Sequence, residues 1–383
     1  MSMTLSGDGT ITGLAAGGLP NATVTADDLA AGAALNSVSD GVFFRNRIIN
    51  GDMRIAQRAT TGTAQQTGSF FYNTVDRWVT YFYGVGVATQ TQDSDAPTGF
   101  SSSTKFEVTT IDSSIAGADD YIFGQKIEGF NTSDLAFGTA NAKTITLSFW
   151  VKCSATGTLP VALQNSAASR SYVSTVTINS ADTWEYKTIT VAGDTTGTWI
   201  GATNGIGLSV YFNLGNSKTV TANTWSGGNY LGVSGATNFM ATLNLTIQFT
   251  GVQLEVGTVA TPFERRPYGT ELALCQRYYY KHSTGAGPVV ASISCYSSTR
   301  IDCAVKLPVT MRSSPTLDVA SGSNYFQAYA GSYAQQFSTM LLNTAQPNSV
   351  LLYNNAVSGF TEGRAGWLET INASAYLAFS AEL

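Results

Sequence analysis

From about residue 45 onward, apolar and polar positions alternate with a period of two. Ile145, Leu147, Phe149 and Val151 alternate with Thr144, Thr146, Ser148 and Trp150, and Leu208, Val210, Phe212 and Leu214 with Ser209, Tyr211 and Asn213. Leu243, Leu245, Ile247 and Phe249 alternate with Asn244, Thr246 and Gln248; after a break at Gly251, Val252, Leu254 and Val256 resume against Gln253 and Glu255. Each run predicts a strand with one buried and one polar face, because successive strand side chains point to opposite sides. Clusters rich in Gly, Asn and Thr at residues 192–197 and 225–229 supply turns between them. Many strands joined this way predict antiparallel sandwiches or jelly rolls.

Residues 1–44 depart from this pattern. They hold no aromatic before Phe43, and the isolated Leu14, Leu19, Val24, Leu29 and Leu35 cannot close a core of their own. Asp27 and Asp28 ahead of Leu29 predict one short helix, with carboxylates at its positive end. At the other end of the first β unit, Pro262 and Pro267 in the stretch 261–267 mark a boundary, since neither fits inside a central strand. Residues 270–281 read as a short helix or connector carrying Leu272, Leu274, Arg277 and three consecutive tyrosines. A second β unit follows: Ile301, Cys303, Val305 and Leu307 alternate with Asp302, Ala304 and Lys306, and residues 376–383 form a final strand. No period of 20–50 residues repeats, so a solenoid is not expected. The chain thus reads as all-β: an extended or helical segment over 1–44, a jelly-roll sandwich over 45–268 and a second antiparallel sandwich over 269–383.

Charge narrows the partners. Only 12% of the 383 residues are charged, about half the usual share, while 43% are hydrophobic and 11% aromatic. That is enough apolar surface to fold, and too little Glu, Lys and Arg for helical bundles. With a net charge of −5 and no basic run, the chain lacks the clustered cations that grip phosphate backbones, so no nucleic-acid partner is expected. No stretch is apolar and long enough for a membrane-spanning helix, and Met1-Ser2-Met3-Thr4, without a charged or apolar lead-in, gives no expectation of a signal peptide. Cys153, Cys275, Cys295 and Cys303 are too few for a disulfide scaffold and are expected as buried thiols. Cys295 and Cys303 flank a predicted turn, which leaves a bridge across that hairpin open.

The candidate chemistry is mostly negative. His282 is the only histidine, which removes every mechanism that needs two. It lies in a polar, glycine-containing stretch that reads as an exposed loop, and no Gly-x-Ser-x-Gly turn exists to pair with it. A glycosidase needs only two carboxylates, so Asp93, Asp95, Glu107, Asp119, Asp120 and Glu128 keep an enzymatic alternative open. No cofactor is expected beyond a structural calcium ion, for which Asp52 and Glu255 are the candidates. The positive feature is aromatic. Trp150, Trp199, Tyr211, Trp225, Tyr230, Tyr325, Tyr329, Tyr333, Tyr353 and Trp367 fall on polar faces or in Gly- and Asn-rich turns. A sugar ring presents an apolar C–H face and a rim of hydroxyls, which flat rings beside short polar side chains match. This predicts carbohydrate binding without catalysis, with the last nine of those aromatics as contacts.

The stretch Asn46-Arg-Ile-Ile-Asn-Gly-Asp-Met-Arg-Ile-Ala-Gln-Arg58, followed by Val75-Asp-Arg-Trp78, resembles the opening of a jelly-roll module common in bacteriophage tail fibres. It is similar as well to the opening of many carbohydrate-binding modules. Residues 123–128, 145–152, 183–189, 249–257, 261–268 and 271–278 continue the likeness, and residues 307–317 resemble the start of a strand pair in fibre tip domains. Residues 1–44 look like fibre attachment segments. The resemblance implies a virion tail fibre assembled as a homotrimer, docked to a tail or baseplate protein through residues 1–44. Its β domains would meet host-envelope polysaccharide or lipopolysaccharide during adsorption. It also leaves open a polysaccharide-cleaving tailspike, and a passive spacer that carries a separate adhesin.

Overall fold

A computed structural model describes residues 4–5, 11–12, 44–65 and 68–383. The chain divides into two compact units, residues 1–45 and 46–383. In the first, β1 (Thr4–Leu5) and β2 (Ile11–Thr12) pair antiparallel. The helix predicted after Asp27 lies outside the described residues.

The second unit opens with a sandwich of two six-stranded sheets. One contains β4 (Val79–Tyr83), β7 (Asp120–Glu128), β9 (Gly157–Gln164), β10 (Arg170–Ile178), β12 (Ile206–Asn213) and β13 (Trp225–Gly227), in the order β13-β10-β9-β12-β7-β4. The other contains β3 (Thr61–Ala64), β5 (Val87–Asp93), β6 (Ser103–Thr110), β8 (Ile145–Cys153), β11 (Glu185–Val191) and β14 (Thr246–Val256), in the order β11-β8-β14-β6-β5-β3. All their pairings are antiparallel. Ile145, Leu147, Phe149 and Val151 of β8 and Leu208, Val210 and Phe212 of β12 enter the shared core, as their alternation predicts. Rings fill the core: Trp78 stacks on Phe123 at 4.8 Å along one sheet, and Phe212 reaches across to the other, 4.6 Å from Phe249 and 4.9 Å from Phe149.

Two details correct the sequence reading. Gly251 does not end a strand: β14 runs through it as a bulge, and pairing with β8 resumes at Gln253 opposite Ser148. Leu243 precedes β14 and is exposed, because the strand begins three residues later than the alternation indicated.

Past Pro267, α1 (Tyr268–Gln276) leads into a second, smaller sandwich. Its three-stranded sheet orders β15 (Tyr279–Thr284), β24 (Tyr376–Ser380) and β18 (Thr316–Val319) as β15-β24-β18. Its seven-stranded sheet is built from β16 (Val289–Ser297), β17 (Arg300–Lys306), β19 (Phe326–Ala330), β20 (Tyr333–Phe337), β21 (Leu341–Gln346), β22 (Ser349–Asn354) and β23 (Ala365–Thr370). The order is β20-β19-β23-β16-β17-β22-β21. Phe326, Phe337, Leu352, Leu368, Leu377 and Phe379 join the two layers. All four cysteines are buried and free; Cys295 faces Ile301 across the hairpin rather than Cys303, so no bridge forms there. His282 is not in a loop. It lies in β15, with Nε2 2.7 Å from the Val290 carbonyl and Nδ1 3.0 Å from the Tyr280 hydroxyl.

The two cores are fastened by buried charge. Glu128, at the end of β7, accepts Arg277 Nε at 2.9 Å, Arg277 Nη2 at 2.6 Å and the Tyr278 hydroxyl at 2.7 Å. Arg77, itself buried, pairs with Glu382, stacks over the Tyr278 ring at 3.5 Å and donates to the Lys126 carbonyl. Arg312 reaches back from the second sandwich to the Asn204 carbonyl at 2.8 Å. Glu128, one of the carboxylates that leave an enzymatic alternative open in the sequence, is buried and held by Arg277 and Tyr278. Burial raises its pKa, but the bonds from Arg277 and Tyr278 outweigh burial and hold it below the ordinary value of 4.5. Its stabilisation is therefore present above that value and lost as pH falls through the depressed one. We expect Glu128→Gln to lower stability at pH 7 by about 1.5–3 kcal/mol in urea unfolding. The gap from wild type should close as pH drops below 4; a gap independent of pH would contradict this assignment.

Candidate functional site

Alternation along the first sandwich sends a second set of side chains outward from the sheet β13-β10-β9-β12-β7-β4. These are Tyr81 of β4, Ile122 and Lys126 of β7, Ser209 and Tyr211 of β12, and Gln164 of β9. Tyr211 sits between Gly124 on one neighbouring strand and Ala162 on the other. The glycine is required. A Cβ at position 124 would stand 2.1 Å from the Val210 carbonyl oxygen and 2.5 Å from Cδ1 of Tyr211. Its absence lets the tyrosine ring settle against the sheet, where it is buried.

Above this floor the segment from Gly68 brings in Phe70. Its ring stacks on Tyr211 at 6.0 Å, leans on Tyr81 at 4.9 Å and carries Lys126 Nζ 3.7 Å from its centre, yet stays 40% exposed. A cleft of about 570 Å³ results. Its polar wall is already ordered. Gln164 Nε2 donates to Ser171 Oγ at 3.1 Å, Asn229 Oδ1 at 2.9 Å and the Tyr230 carbonyl at 3.0 Å. Asp120 accepts Ser217 Oγ at 2.7 Å and pairs with Lys218. Burial pushes the Tyr211 hydroxyl up to about 12, so it remains a neutral group at physiological pH. Burial, reinforced by Arg77 and partly offset by Glu382, pulls Lys126 down to about 8. An aromatic floor beside fixed amide, hydroxyl and carboxylate groups can hold a ligand that is apolar on its face and hydroxylated at its edge. Asp120, the acid lining this cleft, is held by Lys218 and Ser217.

The candidate aromatics do not share one site. Tyr211 forms the floor, and Tyr230 flanks it through its backbone carbonyl and a half-buried ring. Trp199 and Trp225 lie elsewhere, edge-to-face at 5.5 Å and both packed against Phe137. Their indole nitrogens donate to the Thr196 and Ala192 carbonyls, and both rings are half-buried. On the second sandwich, Tyr329 and Trp367 are cross-strand partners stacked at 4.8 Å, and Tyr329 donates to Glu369. Tyr353 holds the Arg300 guanidinium at 4.7 Å, with Tyr296 at 4.8 Å. It lies three strands from Trp367, about 14 Å away. Tyr333 meets Phe360 edge-on, and Tyr325 packs against the second core.

The suspected calcium carboxylates have other partners. Asp52 pairs with Arg54 at 3.0 Å, while Glu255 accepts Gln253 and both the amide and hydroxyl of Thr261. Among the described residues no three His, Cys, Asp or Glu side chains gather as metal ligands. Asp93 and Asp95 are tied to Lys105 and Lys152, each at 2.7 Å. Sequence reasoning missed Phe70, Tyr81, Gln164 and Asn229. Tyr81 and Gln164 carried a usable signal, being outward positions of runs whose other face is apolar.

No protein-family model matches the sequence, and no curated protein matches it. Solved structures give partial likenesses. A bacteriophage CBA120 tailspike domain, described as enzymatically active, scores a TM-score of 0.29 at 12% identity, covering 56% of this chain and 22% of its own. The chain thus spans less than a quarter of that structure. A CBM4 structure also scores 0.29, at 14% identity over 54% of this chain and 98% of its own. The family 11 carbohydrate-binding module from Clostridium thermocellum, in complex with a β-1,3-1,4-mixed-linked tetrasaccharide, scores 0.27 at 10% identity, over 53% and 99%.

The cleft floor depends on the missing Cβ at position 124. Gly124→Ala is expected to destabilise the fold by about 1–3 kcal/mol in urea unfolding, because backbone and ring must both move. An unchanged unfolding midpoint would show that Tyr211 does not need the bare strand.

Proposed function

We propose that this protein is a non-catalytic adhesin that holds polysaccharide of a host cell envelope in the cleft over β7, β9 and β12. The observation that carries the reading is the cleft itself: Tyr211, Tyr81 and Phe70 supply apolar ring surface beside the ordered Gln164–Asn229 pair. Stacking against the C–H face of a pyranose and hydrogen bonding along its rim are separate demands, and this surface has groups for both. The ordered amides limit the entropy lost on binding. In this reading the chain is a structural tail fibre of a virion and acts as a homotrimer docked through residues 1–44. Copies of a weak site then add avidity through effective concentration.

Envelope polysaccharides titrated against the full chain test the reading. Phe70→Ala and Asn229→Ala should each weaken binding by about tenfold, with unfolding midpoints little changed. Light scattering should give the mass of three chains. Sustained release of oligosaccharides from the bound polysaccharide would replace adhesion with cleavage. Failure of the chain to bind, or to compete with particles for cells, would leave it a spacer.

A further inference from the structure

The opposite face of the same sandwich carries a second cleft, also of about 570 Å³, over the outer side of β8, β11 and β14. Trp150 of β8 and Tyr186 of β11 are cross-strand partners with ring centres 5.4 Å apart. Phe100 meets Phe263 edge-on at 5.2 Å. The β14 bulge brings the two pairs together. Gly251 has φ +60°, and a Cβ there would stand 2.7 Å from Phe100 and 3.0 Å from Trp150. The cleft is open to solvent, with Tyr186 43% exposed.

At its rim the Arg265 guanidinium lies over Phe100 at 4.6 Å and near Phe263 at 5.7 Å. Among the described residues it makes no hydrogen bond and no ion pair. The neighbouring acid Asp52 is ion-paired to Arg54 at 3.0 Å and feels the Arg265 charge only at longer range, and Arg266 is committed to Glu264 and Glu271. The ring contacts therefore hold a planar cation in place while, among the described residues, none of its donors meets an acceptor. In a chain this poor in charge, that arrangement sits beside aromatic walls and the hydroxyl-bearing residues Ser148 and Thr261.

We propose that this second cleft binds a carboxylate-bearing pyranose, a uronic acid unit of an acidic polysaccharide. Arg265 takes the carboxylate in a two-pronged bond, and Trp150 and Tyr186 take the ring. One guanidinium balances one carboxylate, and its fork matches the two oxygens in a way an ammonium group cannot. The site shares no residue with the first cleft.

Calorimetric titration of the full chain with oligogalacturonate, and with the same oligosaccharide after carboxyl reduction, tests it. The acidic chain should bind, and Arg265→Gln should weaken it by about tenfold or more. Added salt should weaken wild type more than that variant, and the reduced chain should not distinguish the two proteins. Tyr186→Ala should lower affinity for the acidic chain. No binding of oligogalacturonate, or an Arg265→Gln effect equal on both ligands, would overturn the proposal. Asn229→Ala, in the first cleft, separates the two readings. If it weakens envelope polysaccharide while Arg265→Gln changes nothing, adhesion through the first cleft stands and the acidic site falls.

Discussion

Strand β7 is buried on both faces and along its length, and three separate features converge on it. Its inward Tyr121, Phe123 and Ile127 belong to the aromatic core of the first sandwich. Its outward side offers the bare Gly124 on which Tyr211 rests. Its last residue, Glu128, is a carboxylate that would be costly to bury alone and is stabilised by Arg277 and Tyr278 from beyond α1, with a further contribution from the Arg312 charge. One strand therefore couples the core, the cleft floor and the attachment of the second sandwich.

That coupling explains why two hydrophobic cores behave as one compact unit. Arg77, Arg277 and Arg312 each bring a guanidinium to the seam, where carboxylates or main-chain carbonyls meet it. Arginine suits this position because its planar donors serve several acceptors while its face stacks on an aromatic, as Arg77 does on Tyr278. The seam is polar where the cores are apolar, so its geometry is specified by direction as well as by area. The first cleft lies over the same strand that this network anchors, which gives its walls a rigid base.

Much of the scaffold was legible in the chain. Alternation marked β8, β12 and β17, and the prolines near residue 262 marked the junction between the sandwiches. The errors came from local signals with two meanings. Gly251 reads as a break but forms a bulge, and the glycines after His282 suggested a loop where β15 continues. The burial of Glu128 has no local signal, because its cover is supplied from some 150 residues away in sequence.

The binding surfaces were harder to read, since an aromatic on a polar face has the same pattern whether it meets solvent or protein. Trp199 and Trp225 meet edge-to-face against Phe137, Tyr211 is roofed by Phe70, and Trp150 joins Tyr186 only because register sets them opposite. Period-two patterning and composition, by themselves, determined that this protein is all-β, poor in charge and rich in outward rings, because side-chain alternation is a local property of an extended backbone. Only the tertiary structure decided which rings share a cleft and that, among the described residues, Arg265 meets rings rather than hydrogen-bond acceptors. Those outcomes depend on strand order, register and bulges, which bring together residues far apart along the chain.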